Sequence, residues 1–217
     1  MPARANSQRL PRKNMKILGD VPLVEHSIIY ALENGFNDIF VTTNDPDVAQ
    51  YALKRNLNVI NRPNDLSGNE EPIITAIQHA LEFLDIEYYA VILLQPTNPL
   101  RPEGLLKEAT TVFEREDCES LMTVSRNKHK LGTISKGQFK PYNYKMGQRS
   151  QDMEPLYYEN GLLYIFKTEL VKESKLLGDS NYPLIVDHPF AEIDIDTEAD
   201  FKKAEMFFNY YKNYDND

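Results

Sequence analysis

The sequence predicts an α/β fold, Rossmann-like, with a mostly parallel sheet flanked by helices. Helical and strand patterns alternate along most of the chain with short connections, which is typical of βαβ units. Residues 89–94 also form a fully apolar run, and such strands lie buried on both faces in parallel sheets. The 217 residues fit one domain, 1–217.

Local patterns support each element in turn. Residues 22–32 carry apolar side chains at helical spacing, and Asn34 with Gly35 is typical of a helix end. Residues 38–43 are rich in β-branched side chains, which favour a strand. The same criteria predict helices at 45–54, 72–84, 103–113 and 198–211, and strands at 57–60, 89–94, 120–124 and 162–166. Residues 126–157 are polar and lack a helical period, so we expect hairpins in an inserted arm outside the main sheet.

The start of the chain departs from this pattern. A nucleotide-binding sheet normally has an apolar strand directly before its first loop. Here only Met1-Pro2-Ala3 precedes the loop that begins at Arg4. A sheet that lacked this strand would leave buried main-chain groups unpaired. We therefore expect that the first strand lies upstream of residue 1.

Composition narrows the class of function. The net charge of -9 disfavours a nucleic-acid binder, which needs a basic face. A single cysteine, Cys118, cannot form an intramolecular disulfide, which favours the cytoplasm. No apolar run approaches the ~20 residues that span a bilayer, so we expect no membrane partner.

The first loop is basic in an otherwise acidic chain. Its cations and hydrogen-bonding side chains are Arg4, Asn6, Ser7, Gln8, Arg9, Arg12 and Lys13. Guanidinium groups pair with phosphate oxygens and lysine adds a point charge, so the loop suits a triphosphate. The alternative is a solvated basic terminus.

Two further segments carry polar groups. Asp194 and Asp196 stand at i and i+2, so in an extended segment both carboxylates face one side, where they would bind Mg²⁺, with Mn²⁺ as a substitute. The alternative is that Asp196 or Thr197 caps the following helix.

The loop 95–101 lies at the carboxyl end of the apolar strand, where ligands of parallel sheets collect, and it presents Gln95, Thr97, Asn98 and Arg101. An ordinary strand-to-helix turn explains it equally well.

Taken together, these segments resemble the acylneuraminate cytidylyltransferases, the CMP-sialic acid synthetases. The family's opening loop corresponds to Arg4, Ser7, Pro11, Lys13 and Asn14. Its strand-end motif Leu-Leu-Gln-Pro-Thr-Ser-Pro-Leu-Arg corresponds to residues 93–101, with Asn98 in place of Ser. Its other motifs correspond to Arg62-Pro63, Asn160-Gly161, Tyr164-Ile165 and the run from Asp194 to Glu198.

The resemblance implies a nucleotidyltransferase-type fold and a homodimer, in which the arm 126–157 serves as an inserted dimerisation subdomain. It implies an enzyme that transfers CMP from CTP to an acidic nine-carbon sugar and releases pyrophosphate. The implied CTP-binding residues are Arg4, Asn6, Ser7, Arg9, Lys13, Asn14 and Arg62. The implied sugar-binding residues are Gln95, Thr97, Asn98 and Arg149. Catalysis would rest on Lys13, Asp194 and Asp196, and the two aspartates would hold the metal.

Some positions depart from the family pattern. The loop lysine is Gln8, a family Asp falls at Asn69, and the arginine expected to grip the sugar carboxylate aligns with Ser150, beside Arg149. Arg9 is typical of CMP-Kdo synthetases, which makes such an enzyme the same-class alternative. A non-catalytic nucleotide-sugar binder is the alternative of another class.

Overall fold

The structure, a computed structural model, describes residues 1–5, 7–84 and 86–214, the last two by their main chain alone. Its helices are α1 (Leu23–Glu33), α2 (Pro46–Lys54), α3 (Ile73–Phe83), α4 (Leu105–Arg115), α5 (Thr168–Lys172) and α6 (Glu198–Tyr214). Its strands are β1 (Ile17–Leu18), β2 (Val21–Pro22), β3 (Phe40–Thr43), β4 (Asn58–Asn61), β5 (Ala90–Leu93), β6 (Ser120–Asn127), β7 (Gly132–Ser135), β8 (Gln138–Pro141), β9 (Leu156–Lys167) and β10 (Asn181–Ile185).

The predicted α/β class with a mostly parallel sheet is confirmed, and within the larger sheet only β9 runs against the other strands. The larger sheet has the order β10–β6–β9–β5, and β3 pairs with β4 in parallel beside it. β10 runs parallel to β6, whereas β9 runs antiparallel to both β6 and β5. The connection from β6 to β9 contains one hairpin and a short 3-10 turn at Ser150–Asp152, and no crossover α-helix. Consecutive strands joined in this way pair antiparallel.

Helices cover both faces of the sheet and bury its apolar side chains. In α4, for example, Leu105, Leu106, Ala109, Val112 and Phe113 are buried, a spacing that keeps one face of the helix on the sheet. Burying each large apolar side chain contributes roughly 1.5–3 kcal/mol. Within the described ranges, no helix is long and apolar enough to cross a membrane.

Sequence patterns missed β10. This strand contains Pro183, which lowers strand propensity and cannot donate to a ladder. β10 lies at the edge of the sheet, where only one side of the strand must be paired. A proline is tolerated at such an edge, which explains why the local signal was weak.

Between β6 and β9, the strands β7 and β8 pair only with each other among the described elements. Lys136 and Gly137, both with positive φ, form their two-residue turn. This is the turn type that matches the twist of a two-stranded hairpin. The region 126–157 thus contains the predicted hairpin, and its role in dimerisation stays a prediction.

Candidate active site

The carboxyl ends of β5, β6 and β10 open onto a cavity of about 1070 Å³, here called the main cavity. Its walls come from the loop after β5, the end of β6, the start of β9 and the segments that follow β10. The predicted residues among its lining are Gln95, Thr97, Asn98, Asp194 and Asp196. The sheet edge therefore gathers two of the predicted segments around one space, as expected for an open α/β sheet.

Alternation of side chains along 193–196 turns both aspartates away from the core. Ile193 and Ile195 are buried, while Asp194 and Asp196 line the main cavity. The Ile195 N–H donates to the Thr97 carbonyl at 2.8 Å, which ties this segment to the loop after β5. The predicted same-side geometry is present in an extended segment outside the sheet.

The two carboxylates influence each other. Loss of hydration raises the pKa of Asp194, and the negative charge of Asp196 raises it further, while the Thr97 hydroxyl acts in the opposite direction. A carboxylate whose pKa is raised by burial and by a neighbouring negative charge favours a cation beside it.

Cations from the basic loop reach Asp196. The Lys13 ammonium, only 13% exposed, donates to Asp196 Oδ1 and to the Ile195 carbonyl, both at 3.0 Å. The Arg9 guanidinium donates to Asp196 Oδ2 at 2.6 Å and is largely exposed. The basic loop and the aspartate segment, more than 180 residues apart in sequence, therefore form one polar centre.

Thr197 also caps the helix that follows, as the alternative prediction for this segment has it. This capping does not exclude metal binding by Asp196. The Thr197 N–H donates to the Asp200 carboxylate at 2.8 Å, and the Asp200 N–H donates to the Thr197 hydroxyl at 3.3 Å. This reciprocal pattern is a capping box at the start of α6. Because Thr197 and Asp200 serve the helix, Asp196 remains available to the site.

A buried cation holds the loop after β5. Arg101 donates from its three nitrogens to the Leu162 carbonyl, the Ser27 hydroxyl and the Gln95 carbonyl, at 2.7 to 3.0 Å. Burial lowers the pKa of Arg101 to about 10, still well above neutrality. The residue stays charged and fixes the main chain of Gln95 at the cavity.

Asn98 and Asn160 form a buried polar network beneath the cavity. The Asn98 side chain donates to the carbonyls of Asn160 and Ile193, and Asn160 Oδ1 accepts from Thr123 at 2.6 Å. Gly161 has φ +75° and lies against Asn98, so a Cβ there would be 2.9 Å from its Oδ1. Asn160 and Gly161 therefore position the predicted sugar-binding loop.

The buried guanidinium of Arg62 lies close to Met1 and Arg4. Arg62 is 6% exposed, and its Nε and Nη2 have no hydrogen-bond acceptor among the described residues. Burial and the charge of Arg4 lower its pKa. Buried N–H groups are nearly always paired, so unpaired ones next to a second cation are suited to an anionic or carbonyl-bearing ligand. Asn14 donates to the Arg4 carbonyl at 3.0 Å and so braces this loop.

The rest of the basic loop faces a second space of about 610 Å³, the loop cavity. Ser7, Gln8 and Arg12 line it. Arg12 pairs with Asp47 at 2.7 Å and adopts φ +54°, an uncommon conformation for arginine. Asn6, predicted to bind CTP, lies outside the described residues.

Arg149, predicted to bind the sugar, lies apart from the main cavity. It pairs with Asp152 at 2.7 Å and is largely exposed. The cavity instead contains cations that sequence reasoning missed, Arg126, Lys128 and Lys203, together with two histidines. The signal for Arg126 and Lys128 in the sequence is their position shortly after the predicted strand 120–124.

The donor set fits a divalent cation only in part. No group of three or more His, Cys, Asp or Glu side chains in the described part of the chain could hold a metal ion. A hard cation here would take Asp194 and Asp196 from the protein and its other oxygens from substrate phosphates and water, as Mg²⁺ commonly does.

Comparison with known proteins identifies a family. A family described as "Cytidylyltransferase" matches residues 1–214. The chain is 31% identical over 222 residues to an N-acylneuraminate cytidylyltransferase of Streptococcus agalactiae serotype III, covering 97% of this chain and 53% of that protein. It thus spans about half the length of that relative. It is 30% identical to the CMP-N,N'-diacetyllegionaminic acid synthase of Legionella pneumophila, over 94% of this chain and 93% of that one.

Solved structures show the same fold. A CMP:2-keto-3-deoxy-manno-octonic acid synthetase complexed with CTP matches with a TM-score of 0.71 at 15% identity, covering 97% of both chains. A 4-diphosphocytidyl-2C-methyl-D-erythritol synthase from Anaerococcus prevotii matches with a TM-score of 0.65 at 14% identity, over 96% of this chain and 95% of that one. The match over residues 1–214 shows that this chain belongs to the cytidylyltransferase family.

Proposed function

We propose that the protein transfers CMP from CTP to the anomeric hydroxyl of a sialic-acid-type nonulosonic acid and releases pyrophosphate. The hydroxyl oxygen would bond to the α-phosphorus as the bond from that phosphorus to the pyrophosphate oxygen breaks, and the hydroxyl proton is lost. The observation that carries the proposal is the centre in which Lys13, Arg9 and Asp196 meet at the edge of the main cavity.

The chain's own groups suit each part of this reaction. Phosphoryl chemistry depends mainly on positioning and on stabilising charge. Lys13 and Arg9 supply positive charge beside the main cavity, and Arg62 and Arg4 supply it near the start of the chain. Gln95 and Thr97 line the side of the cavity where a polyhydroxylated substrate would bind. When bound to Asp194 and Asp196, Mg²⁺ would supply charge stabilisation at the phosphates.

The direct test is pyrophosphate release with CTP, Mg²⁺ and separate acidic sugars: N-acetylneuraminate, legionaminate, pseudaminate and Kdo. Release with one of the three nonulosonates supports the proposal and identifies the substrate. Parallel assays with UTP and ATP check that cytidine is required. A folded protein that releases no pyrophosphate with any of these sugars contradicts the proposal.

Two alternatives have their own outcomes in this assay. Arg9 is typical of CMP-Kdo synthetases and motivates the first alternative. For such an enzyme, pyrophosphate would be released with Kdo and with none of the three nonulosonates. A non-catalytic binder would bind CTP in calorimetry without releasing pyrophosphate. The intact Asp194–Asp196 pair argues against a binder, which has little need of two metal carboxylates.

We further propose a homodimer formed through the arm 126–157. The hairpin exposes large apolar side chains, among them Ile134 at 76% and Phe139 at 54%. A cluster of exposed apolar residues marks an interaction surface. Ile134→Glu should convert a dimer to a monomer in light scattering, whereas Ile185→Glu, an equivalent change at an exposed isoleucine on β10, should not. Equal masses for wild type and Ile134→Glu would contradict this arrangement.

A further inference from the structure

One histidine on the wall of the main cavity is bonded to the main chain through a single ring nitrogen. His188 follows β10 and occupies the N-cap position of the short 3-10 helix Pro189–Glu192. Its Nδ1 accepts from the Phe190 N–H at 3.1 Å. Ser, Thr, Asp and Asn are the usual residues at an N-cap, so a capping imidazole is uncommon. The bond fixes which edge of the ring faces the main chain.

Two aromatic rings hold the imidazole of His188 in place. Phe190 contacts it with ring centroids 4.5 Å apart, and Tyr211 of α6 contacts it at 5.8 Å. Phe190 and Tyr211 also contact each other, at 4.7 Å. A change of rotamer would separate the imidazole from both rings and from its main-chain partner. The side chain is therefore preorganised, as a group that recognises a ligand must be.

The same main-chain bond determines which ring nitrogen carries the proton. A backbone N–H only donates, so Nδ1 of His188 must accept and is unprotonated. Loss of hydration lowers the pKa of His188 below its ordinary value of 6.5, which keeps the ring neutral at pH 7. The single ring proton therefore lies on Nε2. Within the described ranges, His188 makes no hydrogen bond through this second nitrogen.

Two small apolar side chains accompany His188 on the cavity wall. Val186 and Ala191 line the main cavity and are otherwise buried, at 7% and 5% exposure. An N–H donor with apolar neighbours is complementary to a group that combines a carbonyl oxygen with a methyl, as an acylamino group does. Asp187, the preceding residue, also lines the cavity, and its negative charge disfavours a ligand carboxylate at this point.

We propose that His188 is a specificity-determining residue, whose Nε2–H donates to the carbonyl oxygen of an acylamino group of the sugar while Val186 and Ala191 contact the acyl methyl. This inference rests on the proposed function and narrows its substrate class to N-acylated nonulosonic acids. Kdo has no acylamino group and would leave the N–H unpaired. A site that is built to hydrogen-bond a substrate group rejects an analogue that lacks the group.

The first test is independent of turnover. Long-range ¹H–¹⁵N NMR of protein labelled at its four histidines distinguishes a proton on Nε2 from one on Nδ1, and loss of signals in His188→Asn identifies His188. A proton on Nδ1 would overturn the proposal. Addition of an N-acylated sugar with CTP should shift the Nε2 resonance, whereas Kdo with CTP should leave it in place. The same shift with both sugars would also contradict the acylamino contact.

Two substitutions separate the roles of the two ring nitrogens. His188→Asn places an amide oxygen where Nδ1 accepts and removes Nε2. It should keep the thermal unfolding midpoint and raise KM for the N-acylated sugar about 10-fold, with KM for CTP unchanged. His188→Gln keeps an amide N–H near the position of Nε2 but loses the cap. It should lower the midpoint by roughly 2–4 °C and raise KM for the sugar less than His188→Asn does.

An analogue with a hydroxyl in place of an acylamino group isolates the proposed contact. The wild type should prefer the N-acylated sugar by about 10-fold in kcat/KM, and His188→Asn should lose this preference. An equal preference in both proteins would overturn the inference and leave the proposed reaction intact. Absence of pyrophosphate release with every sugar is the separate failure of the proposed reaction. In that case the NMR titration alone decides whether His188 binds an N-acylated sugar.

Discussion

Asp196 contacts two cations, Lys13 and Arg9, and shares the main cavity with Asp194. In the proposed reaction its negative charge both orders these cations and holds the metal. Asp196→Asn keeps the shape and removes the charge. Turnover should fall by about 10²-fold or more, because charge stabilisation of this kind contributes several kcal/mol to transition states. Pyrophosphate release at saturating CTP and sugar measures the loss.

The matched control for that variant is Asp117→Asn. Asp117 pairs with Lys167 near the amino end of β6, away from the main cavity. It should retain wild-type turnover, and both variants should retain the far-UV circular dichroism of the wild type. A fully active Asp196→Asn protein would refute the proposed role of this carboxylate.

Arg126 and Arg149 are two candidate binding partners for the carboxylate of an acidic sugar. Arg126 lines the main cavity, makes no ion pair with the described residues, and is exposed. Arg149 is paired with Asp152 on the arm. Arg126→Ala should raise KM for the sugar by roughly 10-fold or more, since a hydrogen bond to a charged group contributes about 1.5–3 kcal/mol. Arg149→Ala should leave KM for the sugar unchanged. The reverse result in initial-rate kinetics would restore the sequence-based assignment of Arg149.

At the level of elements, one close contact between β9 and the loop after β5 leaves no space for a side chain larger than hydrogen. Gly161 on β9 lies against Asn98, which is itself fixed by two carbonyls. Gly161→Ala would combine the strain of a positive φ with a collision at Asn98, and should lower the free energy of unfolding by about 3 kcal/mol. Urea denaturation measures this change.

Gly35 provides the comparison for Gly161. It has φ +84° at the end of α1, but a Cβ there would meet nothing within 4 Å. Gly35→Ala should therefore lower the free energy of unfolding only through the strain of a positive φ, by about 1 kcal/mol. If both substitutions lower the free energy of unfolding equally, the contact between Gly161 and Asn98 contributes nothing to stability.

At the scale of the whole molecule, the buried amino group predicts how the stability of the 217-residue chain, prepared with Met1 as its first residue, depends on pH. Its pKa is about 5 in the folded chain and 8.0 for the unperturbed group. Between these values the unfolded state binds a proton that the folded state does not, so stability falls as pH falls from 8 to 5. The full effect is at most about 4 kcal/mol, at 1.36 kcal/mol per pH unit.

The same chain with an acetylated Met1 is the control, with the presence of Met1 checked by intact mass. It lacks the titrating amine, so its unfolding free energy should vary less between pH 5 and 8. A smaller slope should remain, because burial also lowers the pKa of His26. If the unfolding free energies of the two proteins change with pH to the same extent, the amine does not titrate as a buried group.

The sequence by itself determined the class of fold, most helices and strands, and the segments that form the candidate site. Those features follow from local causes. Helical and strand periods, proline and glycine positions, and polar runs after apolar strands are all readable within a few residues. The alternation that turns Asp194 and Asp196 to one side is equally local, and it occurs as predicted.

Tertiary structure alone decided which distant groups meet. The contact of Lys13 with Asp196, the antiparallel course of β9 and the presence of Arg126 and Lys203 in one cavity depend on the path of the whole chain. No local period encodes such a path, because contacts between remote residues arise when sheet and helices pack to bury their apolar faces.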